Sequence, residues 1–278
     1  METELTARVP TLRLPRLGSP PPIWREARFG LELASLRRSP IYRGDGVSNA
    51  GGQPVILIPG FLAGDDSLGI MTKWLRRTGH RTSSASMRAN IDCSEAAVSR
   101  IERRAEALAE RQGERVAVVG QSRGGTFARV LARRRPDLVS GIVTLGTPHV
   151  DPLAIHPLVH LQLIAIGALG TLRVPGLMKY SCLHGDCCEP FWEDLQGALP
   201  RGVGYTSIYS KTDGIVDWRS CLDPAAEHVE IDSSHVGMAN HPEAYRAVSL
   251  ALTDFRRRDR RAQRRREASG GSRSAAAA

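Results

Sequence analysis

Cysteine is scarce: Cys93, Cys182, Cys187, Cys188 and Cys221 are the only five in 278 residues. They are too few and too scattered for the disulfide framework of a small secreted domain, and their odd number leaves at least one unpaired, so reduced thiols are expected. Cys182, His184, Cys187 and Cys188 form a C-x-H-x-x-C-C run. Tetrahedral structural sites usually draw ligands from two separated pairs, so neither a metal nor a cofactor is expected. The amino-terminal stretch, Met1-Glu2-Thr3-Glu4 followed by prolines and arginines, lacks the apolar run and small-residue cleavage site of a signal peptide, which favours a cytoplasmic location. The long uncharged stretch between Asp151 and Arg173 is interrupted by Pro152, Pro157, Gly167 and Gly170 and carries His156, His160 and Gln162. Its hydropathy is modest for a bilayer span, and an apolar segment over a binding site is expected instead. Neither G-x-x-x-x-G-K-[ST] nor G-x-G-x-x-G occurs around the glycine-rich turn at 120–125, which argues against a phosphate-cradling loop there. No internal repeat is evident.

What is present is enough apolar material for a core: 41% hydrophobic against 24% charged residues. The formal charge of +9 would suit an acidic partner, but it is concentrated at one end. From Arg256 onward nine arginines face only Asp259 and Glu267, which leaves +2 for residues 1–255. The chain divides into a Pro/Arg-rich extension (1–50), a globular domain (51–255) and an Arg-rich tail (256–278). The extension is expected to pack loosely and has no chemistry assigned to it, despite an amphipathic stretch from Trp24 to Leu36. The tail lacks apolar periodicity, should be disordered, and would attract polyanions without specificity; no specific nucleic acid partner is predicted.

Within the domain, Val55–Ile58, Val116–Val119 and Val139–Leu145 are aliphatic runs suited to strands buried on both faces. Tyr205–Tyr209 reads as a fourth strand and His228–Ile231 as a short fifth. Helical spacing marks 67–77, 94–111, 124–134 and 242–255. Strands alternating with helices imply an α/β fold, with a mostly parallel sheet and helices on both faces.

The strand at 116–119 runs directly into Gly120-Gln121-Ser122-Arg123-Gly124. This is G-x-S-x-G in strand-to-helix context, where a serine on a sharp turn projects beyond the carboxyl ends of the strands. A serine hydroxyl needs a base, and the base a carboxylate to orient it. His235, in Ser233-Ser234-His235-Val236-Gly237-Met238, follows the last short strand and is the favoured base. His149 is its competitor, but follows the serine too closely to leave room for an intervening acid. Asp213 lies just past the strand 205–209 and is the favoured acid, with Asp217 as fallback. The backbone N–H groups of Arg123 and Phe61, in the Pro59-Gly60-Phe61-Leu62 turn, are the candidate oxyanion donors, with Leu62 the alternative to Phe61.

Ile58-Pro59-Gly60-Phe61, Gly120-Gln121-Ser122-Arg123-Gly124-Gly125, Thr144-Leu145-Gly146-Thr147-Pro148-His149, Thr212-Asp213-Gly214-Ile215-Val216 and Ser234-His235-Val236-Gly237-Met238 together resemble the α/β-hydrolase superfamily, in particular its small lipases and esterases. Pro59 stands where many members have histidine. The resemblance implies the α/β-hydrolase fold, a catalytic set of Ser122, Asp213 and His235, an acyl-serine intermediate, and a small-molecule ester or lipid substrate. Residues 150–202 occupy the place of a helical cap insertion. Its apolar residues Leu158, Leu161, Leu163, Ile164, Ile166 and Leu169, with Phe191-Trp192, suit either acyl chains or cap core, and peripheral membrane contact stays open. Acyl transfer by the same residues, or binding without catalysis, are the alternatives.

Overall fold

A computed structural model describes residues 21–184 and 187–275, with side chains as far as Arg265 except that of His184. Six strands form one sheet: β1 (Pro54–Ile58), β2 (Arg81–Ser84), β3 (Val116–Gln121), β4 (Val139–Leu145), β5 (Gly204–Tyr209) and β6 (Glu227–Glu230). Their order is β2-β1-β3-β4-β5-β6, and every adjacent pair is parallel. The aliphatic strands β1, β3 and β4 are buried along their whole length, as strands covered on both faces must be. Sequence reasoning missed β2, because Arg-Thr-Ser-Ser has no apolar alternation. It is an edge strand, and a polar, partly exposed edge discourages pairing with other chains.

Helices cover both faces. On one, α4 (Ser94–Gln112) and α5 (Arg123–Arg134) bury Ile101, Leu108, Phe127 and Leu131 against the sheet. On the other, α1 (Phe29–Arg38), α3 (Gly69–Arg77) and α9 (Pro242–Ala275) contribute Leu36, Trp74, Leu75, Tyr245 and Leu252 to a second core. A short helix, α2 (Pro40–Arg43), links α1 to the domain.

Between β4 and β5 rises a helical cap of α6 (Pro157–Thr171), α7 (Ser181–His184) and α8 (Glu189–Gln196). Its parts are held differently. Helix α8 lies on α5, where Phe191 meets Phe127 edge-on, Arg133 and Arg134 pair with Asp194, and Arg129 donates to the Leu195 carbonyl. Helix α6 buries only its two glycines, Gly167 and Gly170. Among the described residues no helix is long and apolar enough to cross a membrane.

Both ends differ from expectation. From residue 21 the amino-terminal segment is integrated rather than loosely packed, with Leu36 and Ile41 in the second core. At the other end α9 continues past Phe255 to Ala275, where a disordered tail was expected; 276–278 lie outside the described residues. The first turn beyond Phe255 is anchored by distant segments: Arg256 donates to the Ala50 and Gly51 carbonyls and pairs with Glu114, while Asp259 accepts from Arg115 Nε at 2.8 Å.

Candidate active site

The turn after β3 holds Ser122 at φ 50°, ψ −124°, a left-handed conformation that costs a non-glycine residue roughly 1–3 kcal/mol and must be imposed by its surroundings. Two hydrogen bonds impose it: Ser122 N–H donates to the Leu145 carbonyl (2.8 Å), and Gly125 N–H donates to the Ser122 carbonyl (2.9 Å). The flanking glycines are required by close approach. A Cβ on Gly120 would lie 2.5 Å from the Gly124 carbonyl oxygen, and one on Gly124 would lie 2.2 Å from that of Ile58.

Asp213 and His235 reach the same region from the carboxyl ends of β5 and β6. Asp213 Oδ2 accepts from His235 Nδ1 at 2.7 Å, and both side chains are buried. Asp213 Oδ1 accepts from the amides of Ile215 (2.8 Å) and Val216 (2.7 Å), which fixes the carboxylate's plane. With Nδ1–H donated to Asp213, Nε2 is the ring position left to act as base. Burial opposes protonation of this imidazole, but the Asp213 charge and hydrogen bond, helped by Glu26, outweigh it and raise the pKa above the ordinary histidine value. The end of β4 joins this pair to the serine. A Cβ on Gly146 would stand 3.0 Å from His235 Nδ1 and 3.2 Å from Asp213 Oδ2, and the preceding carbonyl is the one that Ser122 N–H binds. Gln121, one residue before the serine, donates through Nε2 to the His235 carbonyl at 3.1 Å.

The Pro59-Gly60-Phe61-Leu62 turn passes directly against the serine, since a Cβ on Gly60 would lie 3.2 Å from Ser122 Cβ. Leu62 takes φ 58°. Arg123 opens α5, so its amide has no acceptor within the helix. Its guanidinium braces the neighbouring loop, donating to the Asn90 carbonyl (2.7 Å) and Oδ1 (3.0 Å), while Asn90 Nδ2 donates to the Pro59 carbonyl (2.7 Å).

A family model described as the α/β hydrolase fold matches residues 53–165. The mature form of a Bacillus licheniformis lipase superposes with a TM-score of 0.56 at 13% identity, over 74% of this chain and 94% of that one. A soluble variant of monoglyceride lipase from Saccharomyces cerevisiae, in complex with a substrate analog, gives 0.55 at 13% identity, over 77% and 89%. A structure from a study of two metagenome-derived lipolytic enzymes gives 0.53 at 14% identity, over 76% and 96%. The chain is an α/β-hydrolase-fold protein.

Within this fold the competing candidates sit in other surroundings. His149 is buried edge-on against Tyr205, and burial, with the Arg129 charge, lowers its pKa to about 3. Asp217 caps the 3-10 turn Trp218–Cys221 by accepting from Arg219 N–H at 3.0 Å. His156 caps α6 through the Leu158 amide, and His160 Nε2 bonds the Leu153 carbonyl. The side chain of His184 lies outside the described residues.

Sequence reasoning missed two glutamates of the amino-terminal segment. Glu26 Oε1 accepts from the amides of Gly214 (2.9 Å) and His235 (2.9 Å), and its Oε2 from Val236 (2.8 Å). Glu32 accepts from the amide (2.7 Å) and hydroxyl (2.6 Å) of Ser234 and from the Ser233 hydroxyl (3.2 Å). One carboxylate therefore bridges the loop of the acid and the loop of the base. No sequence motif announces this, because the partners are backbone amides some 200 residues away. It also missed Cys93, whose sulfur joins those of Cys182, Cys187 and Cys188 in a group within 4.8 Å of one another.

Proposed function

We propose that this protein is a serine hydrolase that cleaves carboxylic esters of hydrophobic, lipid-like substrates through an acyl-serine intermediate. The reading is carried by the buried 2.7 Å Asp213–His235 bond, set beside a serine held at positive φ on a strand-to-helix turn. In this mechanism His235 Nε2 takes the Ser122 proton as Oγ attacks the ester carbonyl carbon. Asp213 holds the ring in the required tautomer and stabilises the imidazolium. Negative charge on the carbonyl oxygen is met by the amides of Phe61 and Arg123. Collapse expels the alcohol, which takes the proton from His235. Water then attacks the acyl-serine with His235 again as base, releasing the acid and restoring Ser122.

The preference for lipid-like esters is supported by α6. Its sequence, Pro157–Thr171, contains no charged residue, and it leaves Leu158, Leu161, Ile164 and Leu169 exposed. A helix apolar on all sides needs an apolar environment on its outer face as well, which a lipid substrate surface would supply.

The test uses the full chain and a series of p-nitrophenyl esters. Ser122→Ala should abolish nitrophenol release and fluorophosphonate labelling, and retained turnover would sink the serine mechanism. The double change Leu161→Glu, Ile164→Glu should lower turnover of emulsified long-chain esters far more than that of short soluble ones; an equal loss on both would remove the lipid-like part.

A further inference from the structure

The cysteines that look scattered in sequence converge in the fold. Cys93 caps the amino end of α4, Cys188 caps α8, Cys182 belongs to α7, and Cys187 lies between them. Sulfur–sulfur distances are 4.0 Å for Cys93–Cys187, 3.5 Å for Cys93–Cys188, 2.9 Å for Cys182–Cys187 and 3.5 Å for Cys187–Cys188. All four sulfurs fall within 4.8 Å of one another. A tetrahedral zinc ion with Zn–S bonds of about 2.3 Å requires sulfur–sulfur edges of about 3.8 Å. The shortest contact, at 2.9 Å, must open by about 0.9 Å to meet that length, the three others given need changes of about 0.3 Å or less, and the remaining two pairs lie within 4.8 Å. The space suits one ion rather than the several bridged irons of an iron–sulfur cluster.

We propose that Cys93, Cys182, Cys187 and Cys188 form a structural zinc site that fastens the cap to the core. The donor set is four soft thiolates, which selects a thiophilic ion. Binding converts four thiols and Zn²⁺ into a tetrathiolate complex of net charge −2, with four protons released to solvent and no change of oxidation state.

The surroundings compensate that charge. Cys93 and Cys188 stand at the amino ends of α4 and α8, where the helix dipole favours a thiolate. Favourable dipoles and cations around the ligands form the outer shell that supports such sites. Arg123 lies next to this shell, donating to the Asp92 carbonyl (2.8 Å) and to Ser94 Oγ (2.9 Å), the residues on either side of Cys93.

The site's position explains its use. Three ligands come from the cap and one from the loop between β2 and α4. That loop is the one through which the Arg123 side chain is braced at Asn90, beside the Pro59–Leu62 turn. One ion would therefore hold α7 and α8 in register with the loop behind the proposed oxyanion amides. The site stands or falls without reference to ester hydrolysis.

The experiment is metal analysis of the full chain, purified under reductant and equilibrated with zinc held at low free concentration by a competing chelator. About one zinc per chain is expected. Cobalt substitution should give the visible absorption and thiolate-to-cobalt charge transfer of a tetrahedral sulfur site. After unfolding in excess chelator without reductant, all five cysteines should titrate. Cys93→Ser and Cys188→Ser should each lose the zinc, and Cys221→Ser, outside the cluster, should keep it. Zinc well below one per chain in the parent protein would overturn the proposal, as would full zinc retention by Cys93→Ser or a thiol count lowered by disulfides. If the serine variants do not fold, the cobalt spectrum of the parent protein decides.

Discussion

Replacing Glu26 with alanine removes a carboxylate that accepts from three amides, those of Gly214, His235 and Val236, without touching substrate or nucleophile. Hydrogen bonds to a charged acceptor contribute about 1.5–3 kcal/mol each when buried. Glu26 is only half-buried, so water replaces part of what is lost, and the cost to folding should be about 1–2 kcal/mol in all, read as a lower urea midpoint. Glu32 still grips Ser233 and Ser234, so the loop stays folded but loosens around its histidine. If a similar loss of about 1–2 kcal/mol falls on His235 positioning in the transition state, and about 1.4 kcal/mol is tenfold in rate, kcat/KM for a soluble ester should fall about 5-fold to 30-fold, mostly in kcat. A second readout separates positioning from general destabilisation. Glu26 helps raise the pKa of His235, and the base works only when neutral, so its loss should move the acid limb of the kcat/KM profile to lower pH. Glu26→Gln keeps an oxygen for Gly214 and His235 but turns an amide toward the Val236 N–H. It should show the same limb shift with a smaller rate loss. Rates are normalised to sites titrated with a fluorophosphonate. Wild-type kcat/KM within twofold and an unmoved limb in Glu26→Ala would refute the reasoning.

Asp213→Asn should lower kcat by about 1,000-fold to 10,000-fold, because the ring loses its orienting acceptor, and the residual activity should persist to lower pH as the charge that raises the His235 pKa disappears. A pH–rate profile checks both, and an unshifted limb would contradict the assignment. Ending the chain after Phe255 removes the Arg256 and Asp259 contacts to Ala50, Gly51, Glu114 and Arg115, and should lower stability by about 1–3 kcal/mol. Ending it after Arg265 should leave the urea midpoint unchanged. Equal midpoints for the two truncations would show that the helix extension does not clamp the domain.

How much was legible depends on how local each signal is. Central strands announce themselves as unbroken aliphatic runs, because both faces are covered, and β1, β3 and β4 fall where those runs lie. The G-x-S-x-G turn is equally local, since its glycines answer clashes within a few residues or with the adjacent strand. Strand β2 was hidden because an edge needs no apolar alternation. The helix beyond Phe255 was hidden because its anchors, Glu114 and Arg115, lie on another element.

The sequence by itself determined the α/β class, the parallel central strands, the strained serine turn, and a histidine and aspartate beyond later strands. Each is encoded by residues that neighbour one another along the chain or repeat at a strand's or helix's own period. Only the tertiary structure decided that Glu26 and Glu32 hold the Asp213 and His235 loops, and that Cys93 completes a four-sulfur cluster with three cysteines of the cap. Backbone amides and single cysteines carry no pattern of their own. Their chemistry exists only once the fold brings partners from distant parts of the chain within a few ångströms of one another.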